Sequence, residues 1–225
     1  MTSASSTTVG AVARIAGFAA VLSAAAAVCL AGFAGAAHAA PGTPSPPAND
    51  QLGMHGDPAA AAPYWREQQQ DLDCGEMAVA DVVGQITGQE PTEDEITAAA
   101  ENIPSVSHPG SIYRSGGRTK NRDLPVLLAH YGIQAAAVHT TIDALGQDLD
   151  QGRKVIVGLN DKTIWDEPGD RTQENHFVVV TGIDTNAGVV HLNDSGVEAG
   201  RDEQVSLATF EKAWNTSDNF AVVTG

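Results

Sequence analysis

Two runs rich in branched residues, His176 to Ile183 and Val189 to Asn193, flank the segment Asp184-Thr185-Asn186-Ala187-Gly188. Valine and isoleucine suit a pleated strand, and the Asp, Asn and Gly between them suit a reversal, so the stretch predicts an antiparallel hairpin. Lys154 to Leu159 and Phe220 to Val223 read as further strands. Upstream the apolar period changes. Val79, Val82, Val83 and Ile86 follow helical spacing until Gly88, and Asp73 with Glu76 three residues on forms a capping-box pattern at the start. A second helix opens at Thr92 with Glu95 and runs to about Asn102; a third spans roughly Asp123 to Tyr131 and stops at Gly132. A strand at Ile133 to His139, a short helix near Thr141 to Gln151, and a helix capped by Ser206 and carrying Leu207, Phe210 and Trp214 complete the series. Helices first and an antiparallel sheet afterwards define an α+β domain.

That domain is expected to begin at Tyr64 and run to Gly225. Residues 1–40 hold one charged side chain, Arg14, then an Ala-rich apolar run and the small-residue site Ala37-His38-Ala39 before Ala40-Pro41. This is the layout of an export signal peptide cleaved after Ala39 or Ala40. Residues 41–63 are Pro, Ala, Gly and polar residues without apolar period, which reads as a linker. Removing the leader with Arg14 takes the formal charge from −16 to −17. So acidic a chain repels nucleic acid and anionic membrane surfaces, and no stable membrane insertion is expected after cleavage. The expected location is outside the cell or associated with a bacterial envelope.

Loss of the leader also removes Cys29 and leaves Cys74 as the single cysteine. In an exporting compartment paired cysteines are the rule, so a lone one in a polar setting suggests reactivity. Cys74 falls in the first turn of a predicted helix. There the free N–H groups and the positive end of the helix dipole favour a negative sulfur. Gly75 carries no side chain, which lets an extended substrate approach closely. Asp73 and Glu76 act in the opposite direction, because nearby carboxylates disfavour a thiolate.

The hairpin supplies a base. With the turn centred on Thr185, residues whose numbers total 370 face each other, so His176 lies opposite Asp194. Directly opposed residues share a face with Cβ atoms roughly 5 Å apart, close enough for a carboxylate to orient an imidazole. A slip of one residue would put Asn193 there instead. Gln68, Gln69 and Gln70, just upstream of Cys74, are candidates for an amide that joins the Cys74 N–H in holding an oxyanion. His130, His139 and His191 read as structural or surface positions, with His55 in the linker and His108 in a loop. No two histidines stand at helical ligand spacing, so neither a metal nor another cofactor is expected.

Gln68, Asp73-Cys74-Gly75 and Ala78, followed by His176-Phe177-Val178-Val179-Val180 and Asp194, resemble the C39-like branch of papain-type cysteine peptidases, first known from bacteriocin-processing enzymes. The likeness covers the domain from about Tyr64 to Gly225, and the helix with Phe210 and Trp214 fits free-standing secreted members. It implies a papain-like fold, with Cys74 as nucleophile, His176 as general base and acid, Asp194 as its orienting partner and Gln68 as oxyanion donor. Glu76 and Met77 stand where such enzymes often carry small residues, and the chain is expected to stand free of the transporter domains of bacteriocin exporters.

The expected activity is hydrolysis of a peptide or related amide. A thiol acyltransferase, or a peptide-binding module on the same fold without turnover, are the alternatives. Arg114 and Arg118, beside Gly116-Gly117, form a basic loop that reads as a flap for a substrate carboxylate. The Asp161 to Asn175 stretch is a second rim, from which Trp165 lines a pocket or covers the core.

Overall fold

The structure, a computed structural model, describes residues 53–225; the expected signal peptide and the linker before Gly53 lie outside the described residues. The chain enters as a short strand β1 (Met54–Gly56), a turn of helix α1 (Pro58–Ala61) capped by Asp57, and an extended passage to helix α2 (Cys74–Thr87). Helices α3 (Glu93–Asn102) and α4 (Leu124–His130) follow. Then come strand β2 (Ala135–His139), helix α5 (Ile142–Asp150), strand β3 (Val155–Leu159) and helix α6 (Asp161–Ile164). Strands β4 (His176–Asp184), β5 (Val189–Asn193) and β6 (Glu203–Ser206), helix α7 (Leu207–Trp214) and strand β7 (Phe220–Thr224) complete the domain.

Every strand pairing is antiparallel, in the order β2-β7-β3-β4-β5-β6. β4 outruns β3, and β1 pairs with the part left over, Met54 with Asp184 and Gly56 with Gly182. This corrects the expected linker: its last part, from Gly53 to Pro63, is built into the sheet and the helix beside it. A strand of three residues carries too little periodic signal to be read from sequence.

The sheet is apolar on both faces because its central strands alternate between two cores. Ile156, Phe177, Val179 and Val222 face α2, α3 and α4, whose Val79, Val82, Ile96 and Leu127 are fully buried. Val155, Val157, Val178 and Val180 face α5 and α7, where Leu145, Phe210 and Trp214 pack. Enclosing side chains of that size contributes about 2–3 kcal/mol each, so the two layers of helix hold the sheet as a rigid support. α2 ends at Gly88, whose φ of 75° is the left-handed cap that glycine adopts without steric cost.

Two local expectations fare differently. The capping box at Thr92 and Glu95 forms in both directions. The one at Asp73 and Glu76 does not: Asp73 makes no side-chain cap, and Glu76 turns inward to accept from Thr119 Oγ1.

Candidate active site

Cys74 opens α2 and His176 opens β4, so both sit where an element begins, at one end of the sheet. They line a common cleft of about 310 Å³ together with Gln68, Leu72, Arg118 and Trp165. The cysteine is unpaired and lies close enough to His176 to favour the charged form of its ring. On its other side the ring places Nε2 at 2.6 Å from Asp194 Oδ1, leaving Nδ1 for the sulfur. Burial alone would lower the His176 pKa, but the charge and hydrogen bond of Asp194, with Cys74 beyond, hold it well above the ordinary histidine value. Burial likewise pushes Asp194 up. The imidazolium, with hydrogen bonds from His176, Gly196 and Trp165, outweighs that and keeps the carboxylate below its usual range.

Asp194 reaches His176 by a register other than the expected one. Val179 pairs with Asn193 and Val180 with Leu192, two positions off the turn arithmetic, and a bulge follows between Val180 and Gly182. A shift of two preserves the side-chain face, so Asp194 and His176 still meet, as diagonal rather than direct neighbours. Asn193 points to the opposite face, where its amide donates to Asp81 Oδ2 at 2.7 Å and to the Ala61 carbonyl at 3.1 Å. The Asn193 alternative is thereby set aside on geometry.

The acid is held from all sides. Its backbone N–H donates to the Gly200 carbonyl, its own carbonyl accepts from Trp65 Nε1 at 2.5 Å, and Gly196 N–H donates to Oδ1 at 2.8 Å. Trp165 Nε1 donates to Oδ2 at 3.1 Å, and its ring lies 5.3 Å from the imidazole. Trp165 thus does both things the sequence left open, lining the cleft and covering the His176–Asp194 pair. Gly196 is required: a Cβ there would stand 2.9 Å from the Trp165 ring and 3.0 Å from His176 Cε1.

Gln68 is fixed at both ends of its peptide and amide. Its N–H donates to the Ser195 carbonyl, Oε1 accepts from Ser195 Oγ at 3.0 Å, and Nε2 donates to the Gln70 carbonyl. One amide hydrogen is left for the cleft, alongside the Cys74 N–H, which as a first-turn donor has no helical acceptor. Leu72, two residues before Cys74, adopts φ 73°, a left-handed conformation costing about 1–2 kcal/mol for a residue with a Cβ. It turns the chain sharply into α2.

The acidic neighbours of Cys74 behave unlike surface carboxylates. Asp73 is enclosed, with neither oxygen hydrogen-bonded by a donor. Burial, followed by a proton shared with Glu93 and the charges of Glu93 and Glu76, pushes it up to about 8. Glu76 rises to about 7, chiefly by burial. Near neutral pH both carboxyls are thereby partly protonated, which lessens the expected opposition to a thiolate.

The proposed substrate residues separate into two groups. Arg118 lines the cleft, its Nη1 donating to the Asn175 carbonyl just before His176. Arg114 does not: its Nη2 donates to Pro109 within its own loop. Gly75 is not in the cleft wall either; it is packed within 3.2–3.3 Å (measured from an added Cβ) of Leu124, Phe177 and Thr119. Its lack of a side chain serves the helix–sheet contact, and neither residue is brought to the cleft where the sequence reading expected a substrate contact. The 105–121 loop is not a free flap either, since Ser105 and Val106 bind the buried Asp123 carboxylate at 2.7 and 2.8 Å. Sequence reasoning passed over Gly196 and Ser195; Asp161, which opens the expected second rim, joins Gly196 in the cleft wall. The Asp194-Ser195-Gly196 tripeptide was the available signal, since Asp followed two residues later by Gly favours a side-chain-closed turn.

Residues 62–222 match the model of the Peptidase_C39 like family. The chain belongs to that family. It is 48% identical to uncharacterized proteins of Mycobacterium bovis and Mycobacterium tuberculosis, over 79% of this chain and 88% of each relative. Its fold is similar to that of a crystal structure described as a C39-like peptidase from Bacillus anthracis, with a TM-score of 0.57 and 16% identity, covering 76% of this chain and 97% of that one. The α+β architecture is thus the papain-like one of C39-like peptidases. Among the described residues no helix is long and apolar enough to cross a membrane.

Proposed function

We propose that the chain is an exported cysteine-type peptidase or amide hydrolase. The observation that carries this reading is the His176 ring, bound through Nε2 to Asp194 and sharing with Cys74 the wall of one cleft. Cys74 Sγ attacks the substrate carbonyl as thiolate, and Gln68 Nε2 with the Cys74 N–H holds the resulting oxyanion. The His176 imidazolium gives its proton to the leaving amine as the C–N bond breaks. Neutral His176 then takes a proton from water, whose oxygen attacks the thioester, and the released thiol returns to the starting pair. Asp194 keeps the ring oriented and compensates its charge throughout. Arg118 and Trp165 contact the substrate at the rim, and residues 1–40 direct export.

Burial raises both carboxyls beside the sulfur, Asp73 and Glu76, which lessens the charge opposing a thiolate and supports turnover over a silent peptide-binding module. Labelling with a thiol-directed activity probe tests the reading. Wild type is expected to label at pH 7 and hydrolyse peptide or amide substrates, with Cys74→Ala unlabelled and His176→Ala labelled far more slowly. An unreactive Cys74 in the folded wild type, with no turnover, overturns it. Product analysis with added amines distinguishes hydrolysis from acyl transfer, and N-terminal sequencing of the exported protein tests cleavage after Ala39 or Ala40.

A further inference from the structure

Asp194 Oδ1 is fully engaged by the His176 ring and the Gly196 N–H, whereas Oδ2 receives only Trp165 Nε1–H. A carboxylate oxygen accepts two hydrogen bonds, so Oδ2 has room for a second donor. The β5–β6 ladder brings a group there. Leu192 pairs with Glu203, which places Glu203 on the same sheet face as Asp194 and diagonal to it. That register brings the Glu203 carboxyl under the charge of Asp194, and Glu203 Oε2 is buried with no hydrogen-bond partner. Two neighbouring carboxyls in a largely enclosed setting do not both ionise readily. Asp194, with three donors, keeps the charge.

We propose that Glu203 is a positioning residue of the site: as the neutral acid it donates to Asp194 Oδ2 and, with Trp165, completes the shell that fixes the carboxylate against His176. The inference rests on the peptidase reading above for its kinetic consequence, but not for its geometry. Burial first, then the charge of Asp194 and the shared proton, push Glu203 up to about 7, with His176 opposing. As pH rises through that value a second negative charge appears behind the imidazolium. The other charged groups near Glu203 are Asp166, Arg171 and Lys212, which with it line a separate cleft of about 470 Å³ beside α6 and α7. On its own strand's approach, Asp202 is engaged by His191 Nδ1 at 2.7 Å. Because Glu203 borders this second cleft, it is placed to exchange its proton with solvent there rather than through the substrate cleft.

The test follows the His176 ring by NMR against pH in wild type and Glu203→Gln, which keeps a donor but does not titrate. The wild-type ring is expected to sense an additional ionisation near pH 7 that the variant lacks, and the imidazolium of the variant to lose its proton at lower pH. In turnover, Glu203→Ala is expected to lower kcat about tenfold with little change in KM, and Glu203→Gln to recover most of that loss. Identical His176 titrations in wild type and Glu203→Gln overturn the proposal, whether or not the protein turns over substrate. So do equal losses in the Ala and Gln variants, which would mark a packing role. If wild-type Cys74 fails to react while the titrations differ as expected, the peptidase reading falls and the Glu203 contact stands.

Discussion

Trp165 and Asp194 are joined by a hydrogen bond of 3.1 Å from the indole to Oδ2, while the same indole covers the ring of His176. One side chain from the loop after α6 therefore both orients the acid and shields the ion pair from water. A hydrogen bond to a charged partner in such a setting is worth about 1.5–3 kcal/mol. Trp165→Phe keeps an aromatic cover and removes the donor. It is expected to lower kcat/KM by roughly tenfold or more, chiefly through kcat, in steady-state assays on a peptide substrate.

Gly196 tests the same neighbourhood by size. Gly196→Ala places a methyl group against Trp165 and His176 at separations that ordinary Cβ atoms do not tolerate, so the pair is expected to move apart. Thiol-probe labelling is expected to slow by roughly an order of magnitude, because small displacements of reacting groups carry large rate costs, with far-UV circular dichroism unchanged.

Asn193 and Asp194 are adjacent in sequence and opposite in role. Asn193→Ala deprives buried Asp81 and the Ala61 carbonyl of their shared donor. The expected result is a loss of about 1–3 kcal/mol in urea unfolding, with the probe-labelling rate of the folded fraction near that of wild type. Asp194→Ala is expected to show the reverse emphasis, with a much larger loss of labelling rate.

Asp73 gives stability a pH dependence of known sign. Unfolded, it releases its proton near pH 4; folded, it keeps it to about pH 8. A raised carboxyl pKa means that the folded state binds the extra proton, so its stability is full below about pH 4 and declines as pH rises towards 8. Asp73→Asn cannot ionise. It is expected to match wild type at pH 4 and to exceed it by about 1–3 kcal/mol at pH 8, a difference that denaturant midpoints across the range will read. Glu76 and Asp81, each raised to about 7, leave a smaller decline in the variant.

Much of this arrangement was legible in the chain because it rests on period and on element ends. The hairpin, the helix that begins at Cys74 and the helix with Phe210 and Trp214 all follow from apolar spacing. Register was legible only in parity. Turn composition does not encode the bulge near Thr181, yet a shift of two keeps Asp194 on the His176 face, so the right pair emerged from an incorrect alignment of strands. The Asp73–Glu76 cap failed for a different reason. Both side chains are drawn into the interior, where Thr119 and Glu93 lie, and tertiary burial overrides a local rule. The roles of Trp165 and Gly196 depend on how the 161–175 loop settles over β4, which no local window contains.

The strap from β1 to Gln68 is fastened to the far end of the chain, by Met54 on Asp184, Trp65 on Asp194 and Gln68 on Ser195. Ribosomal synthesis delivers the sulfur well before its base and acid. Until the late strands arrive, Cys74 lacks the His176 imidazole and the strap lacks an anchor. Contacts this distant along the polypeptide also slow folding. The same stitching makes the seating of Cys74 beside His176 and Asp194 depend on strands made last.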